Sequence, residues 1–271
     1  MDMVDIPHTI DPVQPYRPQE QPLRGKVAVI TGASANMGAA LARTLAQDGA
    51  QVVVHYRSDS KAQQAERVVR QIQESGSDAV SFQADLSVPE NCTKLADAAF
   101  EAFGRWDILI NTAGMIVRKP LADITEDEYD GVFNANAKTV FFMMREAARR
   151  MADNGRILSF VTTMVGALAP TYSAYAGSKA PVEHFTKALA KEVGGRGITA
   201  NCIAPGPLQT SFFYPAESDE NIAWLESMSI NGQIGRGDDI LPVARLLVLP
   251  ESGWTTAQTI FVNGGIISTI N

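Results

Sequence analysis

The chain has 271 residues, a formal net charge of −7, and 45% apolar against 20% charged side chains. That length and balance suit a globular domain with a sizeable core, and the acidic surplus excludes a non-specific nucleic-acid binder, which needs a basic surface. Two cysteines, Cys92 and Cys202, make no disulfide framework, and no apolar run reaches the ~20 residues of a membrane helix.

Residues 1–24 carry five prolines, Pro7, Pro12, Pro15, Pro18 and Pro22, among polar neighbours. Proline lacks the backbone donor that helices and central strands use, so an extended arm is expected, either as a mobile tail or laid across a partner subunit. The first residues lack the basic-then-apolar layout of a secretory signal, which makes a cytoplasmic location the default expectation.

From Lys26 onward strand and helix patterns alternate. Val27 to Thr31 is an apolar run that ends at Gly32, and a helix bearing Leu41 and Leu45 follows. Gln51 to Tyr56 is a β-branched run, then a polar helix extends from about Ser60 to Glu74 with Val68, Val69 and Ile72 at helical spacing. Ala79 to Phe82 predicts a third strand. The next helix takes Ser87 as N-cap and Pro89 in its first turn, and it ends at Gly104. Trp106 to Asn111 predicts a fourth strand. Thr125 and Glu128 form a capping box that opens a helix running past Arg145. Arg156 to Val161, Gly197 to Ile203 and Thr259 to Val262 complete seven strands, with a long helix over about Ser173 to Val193. Such alternation predicts one α/β domain over residues 25–271: a doubly wound Rossmann fold, seven-stranded and mostly parallel, with helices on both faces.

The first strand-to-helix turn carries Gly32, Ser34, Asn36, Met37 and Gly38. Small side chains, free backbone N–H groups and the positive end of a helix dipole make it a pyrophosphate site. At the tip of the second strand stand Tyr56, Arg57 and Ser58, with no carboxylate to bond a ribose 2′-hydroxyl. Arg57 instead offers a cation for a 2′-phosphate, so NADP(H) is preferred and NAD(H) remains possible. Asp85 and Leu86 after the third strand would flank the adenine. Asn111, Ala113 and Gly114 after the fourth would line the other side of the cofactor.

Tyr175 and Lys179 lie four residues apart on the long helix and so share one face. A neighbouring cation lowers a phenol's pKa toward the working range of an acid–base group. Such a pair also arises by chance. Thr162 and Thr163, just beyond the fifth strand, supply hydroxyls for a carbonyl oxygen. Tyr172 and Ser173 are rival hydroxyls, but neither has a lysine four residues later. His184 follows on the same helix and reads as structural or surface. With three histidines in the chain, no metal site or histidine-based triad is expected.

Taken together these motifs resemble the short-chain dehydrogenase/reductase family, in its compact single-domain branch, over residues 23–265. Thr31-Gly32-x-x-x-Asn36-x-Gly38 resembles its cofactor turn, Asn111-Thr112-Ala113-Gly114 its Asn-Asn-Ala-Gly element, and Tyr175-x-x-x-Lys179 its catalytic pair. Pro205-Gly206 and Val262-Asn263-Gly264-Gly265 are similar to its later elements. The resemblance implies that Tyr175 exchanges a proton with the substrate oxygen while Lys179 holds the nicotinamide ribose. It further implies that Asn136 positions a water in the proton relay, and that Leu208 and Thr210, after Pro205 and Gly206, meet the carboxamide. Thr162 stands where the family has a serine, with Thr163 as the fallback hydroxyl. Asn36 replaces a glycine, which asparagine's tolerance of left-handed backbone permits, and Thr112 replaces an asparagine. The family also implies a homotetramer, or a homodimer.

The loop over about 207–235 would shape the substrate pocket. Its Phe212, Phe213, Tyr214 and Trp224 suit an apolar or aryl compound, or else simply pack a lid. The expected function is NADPH-dependent reduction of a ketone or aldehyde. Alternatives are an NAD-dependent alcohol or sugar dehydrogenase, a 3-oxoacyl-thioester reductase, and a catalytically idle NADP(H)-binding sensor or scaffold. A small-molecule partner is expected, with neither nucleic acid nor membrane.

Overall fold

The computed structural model describes residues 19–167 and 169–267. Most of the proline-rich segment, residues 1–18, lies outside the described residues. Its last part does not extend. Leu23 is 1% exposed, its N–H bonds to the Asp48 carbonyl at 2.9 Å, and the chain turns there because that side chain joins the core.

Seven strands form one sheet: β1 (Val27–Thr31), β2 (Gln51–Tyr56), β3 (Ala79–Gln83), β4 (Ile108–Asn111), β5 (Arg156–Phe160), β6 (Thr199–Pro205) and β7 (Thr259–Val262). Their spatial order is β3-β2-β1-β4-β5-β6-β7, and every neighbouring pair is parallel. The sheet expected to be mostly parallel is wholly so. The sequence reason is that β1, β4 and β5 bury every residue, as strands covered on both faces must.

Alternation within β1 separates two cores. Ala28 and Ile30 face α1 (Asn36–Gln47), α2 (Ala62–Glu74) and α8 (Gly237–Val248), whereas Val27 and Val29 face α3 (Pro89–Phe103), α5 (Thr139–Arg150) and α6 (Ser173–Val193). Because the strand order reverses between β1 and β4, their carboxyl ends open a crevice there, the usual ligand position of such sheets. Among the described residues no helix is long and apolar enough to cross a membrane.

Two local expectations change. Val88, not Ser87, is the N-cap of α3: its carbonyl takes the Asn91 N–H at 3.0 Å, and no side chain caps the helix. The helix opened by Thr125 and Glu128 does have its capping box at the start of α4 (Glu126–Phe133), but a π turn over Asn134–Lys138 separates it from α5. That extra residue in the turn rotates Asn136 inward, where it is fully buried.

Candidate active site

The β1–α1 turn forms one end of the crevice. Asn36 adopts φ 48°, the left-handed conformation its residue type was expected to tolerate. Gly38 is required by close approach: a Cβ there would lie 2.5 Å from the Gly32 carbonyl oxygen and 2.6 Å from Thr112 Oγ1. Thr112 is a tie rather than a defect. Its hydroxyl donates to the Thr31 carbonyl, while the Thr31 hydroxyl accepts the N–H groups of Thr112 (3.2 Å) and Ala113 (3.1 Å). His55, which sequence reasoning passed over, joins two loops from its place on β2. Its Nδ1 accepts from the Gly32 N–H at 3.1 Å, and Nε2 donates to the Ala84 carbonyl at 3.0 Å. Burial lowers its pKa to about 4, so the ring is neutral and can accept at Nδ1.

Tyr175 and Lys179 project from α6 at the centre of the crevice, 8% and 4% exposed. Lys179 Nζ donates to the Phe160 carbonyl at the end of β5, at 2.8 Å. Gly114 makes room for it, since a Cβ there would stand 2.8 Å from Asn136 Oδ1 and 3.2 Å from Lys179 Nζ. Burial pushes the Tyr175 phenol up to about 12, opposed by a hydrogen bond with Thr162, and it pushes the Lys179 ammonium down to about 8. The expectation that Lys179 lowers the tyrosine's pKa is not met by the chain's own groups. Desolvation dominates, and the phenol is held neutral.

The two threonines separate clearly. Thr162 shares its hydroxyl with Tyr175 and accepts the Met164 N–H at 3.3 Å. Thr163 is fully buried, and its hydroxyl donates to the Ala204 carbonyl at 3.3 Å, so the fallback hydroxyl is committed to β6. Asn136 accepts the Met115 N–H at 2.9 Å and donates to the Met115 carbonyl (2.8 Å) and to Ser178 Oγ (2.9 Å).

A lid closes the far end. Leu208 and Gly235 pair as an isolated bridge, so the segment between them leaves and re-enters at one point. Phe213, Leu225 and Ile234 give it a small core of its own, and it carries α7 (Asp219–Met228). Ser211 Oγ donates to Asn36 Oδ1 at 3.1 Å, which ties the lid to the cofactor turn across the crevice. The cavity is about 590 Å³ and runs from Arg57 past Tyr175 to Phe212 and Phe213.

A family model described as enoyl-(acyl carrier protein) reductase matches residues 32–267. The chain belongs to the short-chain dehydrogenase/reductase family. It is therefore an NAD(P)-dependent oxidoreductase. Among relatives, an NADPH-dependent aldehyde reductase-like chloroplastic protein of Arabidopsis thaliana is 38% identical over 91% of this chain and 96% of its own. Versicolorin reductase of Emericella nidulans is also 38% identical, over 90% and 96%. A protein of Burkholderia cenocepacia, described as a dehydrogenase and solved with bound NADP, is 41% identical with a TM-score of 0.89, covering 93% of this chain and 97% of that one.

Within this short-chain dehydrogenase/reductase, most expected residues do line the cavity: Gly32, Ser34, Asn36, Met37 and Gly38; Tyr56 and Arg57; Asp85 and Leu86; Ala113 and Gly114; Pro205, Gly206, Leu208 and Thr210. Three do not. Asn111 is turned under the floor, where its Nδ2 donates to Ser159 Oγ at 3.0 Å. Ser58 pairs with Ser60 at 2.9 Å outside the cavity, and Asn136 lies behind the wall. Sequence reasoning missed Lys61, which lines the same end as Arg57 and could have been found as a second cation four residues on. It set Tyr172 aside as a rival hydroxyl and gave Glu217 no role, yet the two face each other from the α6 approach and the lid.

Proposed function

We propose that the protein is an NADPH-dependent carbonyl reductase that converts an apolar or aryl ketone or aldehyde to an alcohol. The observation that carries this reading is that Tyr175, Lys179 and Thr162, all buried, come together in one cavity walled by apolar and aromatic lid residues. The name of the Arabidopsis relative as NADPH-dependent aldehyde reductase-like, and the NADP bound to the Burkholderia structure, support the same reading.

The residues fit a dinucleotide. The glycine-lined turn at the α1 N-terminus would hold the pyrophosphate, Arg57 and Lys61 the 2′-phosphate, and Lys179 the nicotinamide ribose. When bound, the dihydronicotinamide supplies the hydride. The chain's own work is proton delivery and exclusion of water. Thr162 and Tyr175 accept the substrate oxygen between their hydroxyls, and Tyr175 gives its proton as charge develops there. Burial keeps the phenol protonated, so the proton is in place, and the Thr162 hydroxyl works against the loss of acidity that burial brings.

We further infer assembly into a homotetramer or homodimer through α4, α5 and α6. The apolar run on α5 divides: Met143 and Met144 are core, whereas Phe141 is 46% exposed and borders an apolar groove with Phe133, Phe142 and Phe185. Sedimentation equilibrium of the wild type against Phe141→Glu tests it, and a wild-type monomer removes it.

The central experiment is NADPH oxidation across aryl ketones, aldehydes, diketones and acyl thioesters, with Tyr175→Phe as control. Turnover abolished by Tyr175→Phe supports the reading, and turnover unchanged rejects it. Absence of turnover on every class favours the idle-binder alternative.

A further inference from the structure

One of the lid's carboxylates is turned inward. Asp219 and Glu220 point to solvent, but the Glu217 side chain is 1% exposed. Arg118, on the loop after β4, donates to Glu217 Oε2 from Nη1 at 2.5 Å. The Tyr172 hydroxyl donates to Oε1, and Asn221 Nδ2 donates to Oε2. Arg118 also reaches back to the segment ahead of α6. Its Nε donates to Thr171 Oγ1 at 3.2 Å, and its guanidinium lies over the Tyr172 ring, 5.3 Å from the centroid. The Lys119 N–H bonds the Thr171 carbonyl at 3.0 Å. These contacts hold Thr171 at φ 69°, a left-handed backbone that a β-branched residue adopts only when its surroundings impose it.

Three segments far apart in the chain thus converge on one carboxylate. What they position is the Tyr172 ring, which lines the cavity with its centroid 6.4 Å from that of Tyr175. An apolar lid core of Phe213, Leu225 and Ile234 would close by itself in many registers. An ion pair to a buried carboxylate closes in one, because any other leaves the Glu217 charge inside without its partners. It also opens at modest cost, since water solvates both ions once they part.

We propose that Glu217 is a positioning residue for substrate. Paired with Arg118 it latches the lid onto the approach to α6, and through Tyr172 it sets the cavity wall beside the catalytic tyrosine. Because the Tyr172 proton is committed to Glu217, that wall offers substrate a ring and not a donor. The kinetic part rests on the carbonyl-reductase reading, but the latch itself does not.

The test compares wild type, Glu217→Gln, Glu217→Ala, Arg118→Met and the Arg118→Met/Glu217→Ala double variant. Steady-state reduction of an aryl ketone and of a small aliphatic aldehyde is measured with NADPH, together with NADPH affinity by fluorescence and protease cleavage within residues 207–235. For Glu217→Ala we expect the aryl-ketone KM to rise about tenfold with kcat changed less than about threefold, because a misplaced wall costs binding more than chemistry. The aldehyde KM moves less, NADPH affinity stays within about twofold, and lid cleavage accelerates. Glu217→Gln, which keeps the shape and one acceptor, falls between, and the double variant is no worse than the worse single one. Unchanged KM and unchanged lid cleavage in Glu217→Ala overturn the proposal. So does a uniform loss of kcat, both KM values and NADPH affinity, which marks plain structural damage. If the wild type reduces no carbonyl compound, the functional reading fails, and lid cleavage still decides the latch.

Discussion

The Arg57 guanidinium donates from Nε (3.3 Å) and Nη2 (3.0 Å) to a single oxygen of Asp85, joining the ends of β2 and β3 at the mouth of the crevice. Although burial alone would raise it, the Asp85 carboxyl is held below its usual range by hydrogen bonds to Ser87 and by the Arg57 charge. Both side chains line the cavity, so Asp85 holds at the rim a guanidinium whose remaining N–H groups a 2′-phosphate could take.

Arg57→Ala is expected to lower kcat/KM for NADPH by about tenfold to a hundredfold, as loss of a charge-assisted contact implies. The value for NADH should change little. Steady-state comparison of the two cofactors before and after the substitution checks this, and an unchanged NADPH/NADH ratio removes Arg57 from the account.

Thr162→Ser should retain turnover within about threefold, because the hydroxyl is kept and only a methyl group is lost. Thr162→Val, which keeps the shape but loses the hydroxyl, should lower kcat about tenfold or more. Thr163→Val should lower kcat far less, since that hydroxyl bonds the Ala204 carbonyl. Equal losses at the two positions would contradict the assignment of Thr162.

The reduction should fail with alkali through Lys179 before Tyr175. Burial puts the lysine at about 8 and the tyrosine at about 12. Below about 8 the ammonium is charged and the phenol carries its proton, the state that reduction needs. As pH rises past that value the cation is lost, so kcat/KM should fall with a slope of about one log unit per pH unit. A pH profile that stays flat to pH ~10 would show that Lys179 keeps its charge and that burial does not govern it.

Folding stability should carry a His55 signature. The folded pKa of about 4 lies below the ordinary 6.5, so the unfolded chain binds the proton first as pH falls. Stability is therefore full above pH 6.5, declines between 6.5 and about 4, and levels off below that range as far as this group is concerned. The decline amounts to roughly 3 kcal/mol, and His55→Gln should remove that portion of the slope while lowering stability at neutral pH by about 1–2 kcal/mol. Urea unfolding of both proteins at pH 7 and pH 4.5 measures it, and parallel losses would exclude His55 as the source.

Much of the site was legible because its signals are local. The left-handed turn at Asn36 follows from residue type, and the shared face of Tyr175 and Lys179 follows from helical spacing. The capping box at Thr125 and Glu128 is likewise a four-residue pattern. What escaped were relations between segments. Asn111 sits in a motif that resembles a cofactor contact, but its side chain bonds Ser159 across the β4–β5 seam. Ser87 has the composition of an N-cap, but the helix starts one residue later, at Val88, and the Ser87 N–H turns back to the Asp85 carboxylate. Tyr172 looked like an idle rival to Tyr175 until its hydroxyl met Glu217 from the lid.

The sequence by itself determined the strand and helix alternation, the anion-binding turn and the tyrosine–lysine pair, because period, cap and turn chemistry act over a few residues. Only the tertiary structure separated Thr162 from Thr163, whose hydroxyl is bonded to the Ala204 carbonyl, and put burial rather than Lys179 in control of the phenol. It alone brought Arg118, Tyr172 and Glu217 to one point. Desolvation and ion pairing depend on what surrounds a group in space, and those neighbours come from parts of the chain that no local pattern connects.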